Sequence, residues 1–136
     1  MRISFLLAAA LTLAALAPTA RAQSKPADTA AQVAFPASER GKLARQWLDI
    51  YNGGDVAAYR TFMEINAEIG GTPVDARVER YGDMQGNLGR LTVLGAKETA
   101  DGIELKVRTA HGEEGTVTVM ISSAAPFKFQ AVRVEI

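Results

Sequence analysis

From Ser38 onward the apolar positions change period once, and that change predicts the fold. Leu43, Trp47, Ile50 and Tyr51 follow one another at spacings of four, three and one, which gathers them on one face of a helix. Ser38 is placed to cap this helix, with Glu39 in its first turn. Asn52-Gly53-Gly54 stops it, because Gly and Asn tolerate the left-handed conformation at a helix end. Asp55 then caps a second helix striped by Val56, Tyr59, Phe62 and Met63 and expected to end at Gly70-Gly71. Thr72-Pro73-Val74-Asp75 signals a third start, with Thr72 as cap, Pro73 as first helical residue and Asp75 completing a variant capping box. Val74, Val78, Tyr81 and Met84 share its face, while Gly82 and Gly86 predict fraying toward Asn87.

The second half alternates with period two. Leu91 and Val93 begin a strand expected to run to about Glu98, and Asp101-Gly102 is a hairpin dipeptide. Ile103, Leu105, Val107 and Thr109 alternate with Glu104, Lys106 and Arg108, so one face is dry and one wet. His111-Gly112-Glu113-Glu114-Gly115 is a second turn, followed by Val117, Val119 and Ile121 interleaved with Thr116, Thr118 and Met120. Ser122 to Pro126 is a third turn. In the last strand Phe127 and Phe129 have one parity and Val132, Val134 and Ile136 the other. A one-residue slip exchanges the faces, so a bulge near Gln130-Ala131 is expected to restore a single apolar face. The fold class is α+β: two to three N-terminal helices packed on a curved, four-stranded antiparallel meander.

The start of the chain adds a compartment to this picture. Arg2, the apolar run Phe5–Ala17 of about 13 residues, Pro18 and Ala20-Arg21-Ala22 follow the order of a signal peptide, with cleavage expected before Gln23. The competing reading, a membrane anchor, needs roughly 18 to 20 apolar residues. Residues 1–22 are therefore read as the signal peptide. Residues 23–37 are read as a flexible leader rich in small residues and proline, and residues 38–136 as one domain. The protein is expected to be exported, periplasmic or secreted, with no membrane anchor after cleavage. The chain has no cysteine, so neither a disulfide nor a lipid-bearing cysteine contributes. Cleavage removes two arginines and no acid, turning 15 basic and 15 acidic side chains into 13 and 15. Such scattered, near-balanced charge argues against nucleic acid as a partner.

Candidate chemistry is sparse. His111, the single histidine, falls in a turn beside Glu113 and Glu114 and reads as a solvated side chain. Asp49, Asp55, Glu64 and Asp75 lie in the helical half, where a carboxylate beside Tyr51 or Tyr59 would suit an isomerase or lyase. Asp55 and Asp75 are better explained as caps, and Asp49 and Glu64 fall off the apolar stripes. Ser38, Ser122 and Ser123 have no visible base, and no phosphate-cradling glycine loop is present. No catalytic residue, cofactor or metal site is assigned. Trp47, Tyr51, Tyr59, Phe62 and Tyr81 are the candidate pocket residues, set against the commoner fate of aromatics as core. Thr118, Met120 and Val132 are expected to form a partly apolar outer sheet face through which a homodimer pairs.

The stretch Leu43–Met63, LARQWLDIYNGGDVAAYRTFM, resembles the opening of the nuclear-transport-factor-2-like, SnoaL-like domains, whose first helix ends in an aromatic-Asn-x-Gly-Asp turn. Here that turn is Tyr51-Asn52-Gly53-Gly54-Asp55. More closely, Glu39–Ile136 resembles a module found ahead of exported serine hydrolases of the penicillin-binding and tail-specific peptidase kinds, including a central Glu79-Arg80 pair. The resemblance implies an α+β cone and admits isomerases, dehydratases, binding modules and immunity proteins alike. The expectation carried forward is an exported, non-enzymatic domain that binds a protein or small ligand, including as an accessory to an exported serine hydrolase. The alternative is a cone-fold isomerase or lyase with a carboxylate–tyrosine pocket.

Overall fold

A computed structural model describes residues 33–136 of the chain. The expected signal peptide, and the leader up to residue 32, lie outside the described residues. Three helices, α1 (Glu39–Gly53), α2 (Val56–Asn66) and α3 (Val74–Leu88), precede four strands, β1 (Thr92–Glu98), β2 (Gly102–Arg108), β3 (Glu114–Ile121) and β4 (Phe129–Glu135). The strands form one antiparallel sheet in the order β1-β2-β3-β4. This is the α+β arrangement read from the change of period.

The helix boundaries show where local chemistry governs and where it yields. Ser38 Oγ accepts from Gly41 N at 3.1 Å, and Gly54 ends α1 with φ of 69°. Asp55 caps α2 through the amides of Ala57 and Ala58. Three expectations are corrected. α2 stops at Asn66, one turn before the glycine pair, because Ala67 bridges to Phe129 and Glu68 N donates to Phe129 O. A tertiary backbone pairing thus replaces the next intrahelical bonds. At α3, Pro73 occupies the cap position with no side-chain cap, and Asp75 instead accepts from Arg60 at 2.6 Å. Gly82 and Gly86 do not fray the helix, which continues to Leu88.

The sheet register follows the alternation. Ile103, Leu105, Val107, Val117, Val119 and Ile121 are buried against the helices. On the outer face Lys97 pairs with Glu104 at 2.9 Å, and Arg108 with Glu114 at 2.5 Å. Arg108 thereby holds the exposed Glu114 carboxyl below its usual range. β4 carries the expected bulge: Met120 faces Ala131 and Ile121 faces Phe129, leaving Gln130 as the extra residue. Val132 and Val134 consequently face Val119 and Val117 on the buried side. This removes Val132 from the outer face proposed for self-association; its neighbours there are Thr118 paired with Arg133 and Met120 with Ala131. A second bulge, between Val93 and Gly95 in β1, had no signal in the alternation. It lets Val93 and Ala96 both meet inward positions of β2, Val107 and Leu105. Glycine is required at Gly102, where a Cβ would lie 2.0 Å from Val119 O across the pair.

Candidate functional site

The five candidate aromatics come together between helices and sheet. Trp47 stacks on Tyr51 with ring centroids 5.3 Å apart, and Tyr59 stacks on Tyr81 at 4.1 Å. Tyr51 meets the edge of Tyr81, and Phe62 the edge of Phe129. All five are at most 3% exposed. Rings at these separations leave no room for a ligand among them. Their polar ends are largely spent within the fold. Tyr51 Oη donates to Gly89 O at 2.9 Å, Tyr81 Oη to Tyr51 O at 3.5 Å, and Trp47 Nε1 to Tyr59 Oη at 3.3 Å. Desolvation, followed by the neighbouring phenols Tyr81 and Tyr59, pushes Tyr51 up to about 12. Desolvation also raises Tyr59 and Tyr81. The three phenols therefore stay protonated at neutral pH and serve as donors rather than bases.

Two arginines on the same apolar stripes were missed. Arg40 is 8% exposed and Arg77 6%. Arg40 fans out from α1 to Glu98 Oε1, Thr99 O, Ala100 O and Ile121 O at 3.0 to 3.3 Å. Arg77 donates from Nε to Thr72 O at 2.8 Å and from Nη1 to Gln130 O at 2.7 Å, its guanidinium over the Phe129 ring. Desolvation lowers its proton affinity, against the pull of Tyr59 and Glu68. The sequence signal was spacing. Arg40 lies four, seven and eleven residues before Ala44, Trp47 and Tyr51, and Arg77 lies three after Val74 and four before Tyr81. A charged side chain in a buried stripe marks a pinned guanidinium. Asn52 has a similar task beyond helix stopping. Its amide exchanges two bonds of 2.9 Å with the backbone of Leu91, fixing the end of α1 to the entrance of β1.

The proposed acids are dispersed. Asp49, Asp55, Glu64 and Asp75 are all exposed, as are His111, Glu113 and Glu114. Among the described residues no three His, Cys, Asp or Glu side chains gather as metal ligands, and no helix is long and apolar enough to cross a membrane.

The structure instead opens a cleft between α3 and β4. A small cavity of about 50 Å³ is lined by Tyr59, Thr72, Arg77, Arg80, Met84 and the bulged segment Phe129–Val132. An adjoining open hollow of about 320 Å³ shares Arg80, Met84 and Val132 and adds Asp83, Asn87, Leu88 and Val134. The β4 bulge creates the inner end by turning Gln130 toward Arg77. Tyr59 accepts from Trp47 and has no acceptor for its own proton among the described hydrogen bonds. The inner end is thus cationic and rich in donors, with no carboxylate in its lining; the outer end is mostly apolar. Of the candidate pocket residues, Tyr59 alone lines this cleft, and the resemblance-derived Glu79-Arg80 pair contributes Arg80.

Compared with family models, known proteins and solved structures, the chain matches none.

Proposed function

We propose that this chain is an exported, non-catalytic binding domain whose ligand, a small molecule or a protein segment, enters the cleft between α3 and β4. The observation carrying the reading is the division of labour inside the fold. Rings fill the interior, the carboxylates offered as catalysts lie outside it, and donors converge at the inner end of the cleft. Tyr59, Arg77 and Arg80 suit an acidic group, and Met84, Leu88, Val132 and Val134 suit an apolar body attached to it. An exported serine hydrolase as partner rests on the sequence resemblance.

Anilinonaphthalene sulfonate, an anion with an apolar ring system, probes the cleft directly. Its fluorescence is expected to rise on titration with the protein. Met84→Glu, which places a carboxylate beside Arg80 and Val132, should weaken binding about tenfold, or roughly 1.4 kcal/mol. Circular dichroism should stay unchanged, because Met84 is only half-buried. Undiminished binding by this variant would place the probe elsewhere and remove the cleft from the reading. Export has its own check: mass spectrometry of protein from the native host should find a chain beginning at or near Gln23. A chain retaining Phe5–Ala17 would overturn that part.

A further inference from the structure

Among the described residues, β4 is an edge strand whose later half is uncovered. At its start, Glu68 N donates to Phe129 O at 2.9 Å and Arg77 Nη1 to Gln130 O at 2.7 Å. Beyond the bulge, from Ala131 onward, no described residue pairs with the outer edge of the strand. The other edge, β1, is broken by its own bulge between Val93 and Gly95, which twists an edge away from pairing. The open half of β4 has no such device.

Its side chains are sorted by face. Val132 and Val134 lie on the inner side opposite Val119 and Val117. Ile136 joins them, since its Cδ1 lies 2.6 Å from where a Cβ on Gly115 would sit, and Gly115 pairs with the inward Val107. The row is incompletely covered: Val132 and Val134 are half-buried and Ile136 is 48% exposed. Arg133 and Glu135 lie on the outer side, opposite Thr118 and Thr116, and neither belongs to an ion pair among the described residues.

We propose that the open half of β4 pairs antiparallel with the same segment of a second copy, with Val134 on the two-fold axis. Register selects this arrangement. An offset of one residue would set apolar inner positions against charged outer ones. Centring on Arg133 or on Glu135 would oppose like charges directly, which destabilises a strand pair. With Val134 at the centre, Arg133 of each copy faces the other's Glu135, and Val132 faces the other's Ile136. The occupant is thus a second copy of this chain, chosen by charge complementarity and by a continuous apolar inner row. The two sheets become one eight-stranded sheet. The interface takes Val132 and Val134 from the lining of the cleft's outer hollow but requires no ligand there.

Sedimentation of the purified protein from micromolar to submillimolar concentration tests it. The wild type is expected to associate to a dimer. Arg133→Glu and Glu135→Arg should each give monomers by placing like charges opposite one another, with circular dichroism unchanged because both residues are exposed. The double variant Arg133→Glu/Glu135→Arg should regain the dimer. Amide exchange in residues 132–136 should slow as wild-type concentration rises. A wild-type monomer throughout the range overturns the proposal. So does a dimer that survives both single reversals, and failure of the double variant to recover association overturns this register.

Discussion

Val107→Asp and Val119→Asp are each expected to leave the domain largely unfolded at room temperature. Both valines are fully buried on the inner face, Val107 opposite Val93 and Gly115, and Val119 opposite Ile103 and Val132. Each substitution forfeits about 2 kcal/mol of apolar burial. It also places a carboxylate among the buried apolar side chains of the core, and a buried charge without a partner costs several kcal/mol more. The total approaches the whole stability of a small domain, about 5–15 kcal/mol. Glu104→Ala and Lys106→Ala, on the other face of the same strand, should change stability by no more than about 0.5–1 kcal/mol, even though Glu104 loses its exposed pair with Lys97. Urea unfolding followed by circular dichroism separates the two sets. Equal effects would mean that the strand register is wrong.

Arg40→Met is the second large effect, with an expected loss of about 3 kcal/mol. Methionine keeps much of the apolar stem but supplies no donor. The carbonyls of Thr99 and Ala100 in the β1–β2 turn, and of Ile121 at the end of β3, lose the guanidinium that draws them together against α1. Arg40→Lys should recover less than half, because one ammonium cannot span a fork of acceptors. Glu98→Gln should cost far less than Arg40→Met, since Glu98 is 37% exposed in an ion pair of 3.3 Å. The same unfolding series distinguishes the carbonyl clamp from the ion pair. An Arg40→Met loss below about 1 kcal/mol would dismiss the clamp.

These two residues illustrate how unevenly the fold is written along the chain. Val107 was legible because alternation is local: neighbouring side chains in a strand point to opposite faces, so a short window tells which are dry. Arg40 was not, because its acceptors come from three positions some 60 to 80 residues away, and nothing nearby in the sequence names them. Its place in the apolar stripe was visible, but its partners were not.

The candidate site divides in the same way. That Trp47, Tyr51, Tyr59, Phe62 and Tyr81 share helix faces follows from spacing alone. Whether such faces enclose a pocket depends on how far apart three helices and a sheet settle, and here the rings meet at 4.1 to 6.2 Å with one another and Phe129. The cleft is set by packing too. It exists because the Gln130 bulge turns β4 and because α3 leaves Val132 and Val134 half-covered.

By itself the sequence determined the class of fold, the order of elements, the caps at Ser38 and Asp55, the dry face of β2 and β3 and the need for a bulge near Gln130. Each of these rests on a period or on a bond between residues a few positions apart. Tertiary structure alone decided where α2 stops, the bulge in β1, the tasks of Arg40, Arg77 and Asn52, and the open edge beyond the β4 bulge. All of these are contacts between distant segments. Their free energies depend on which backbone groups the folded chain leaves without partners, a quantity that no local window of residues contains.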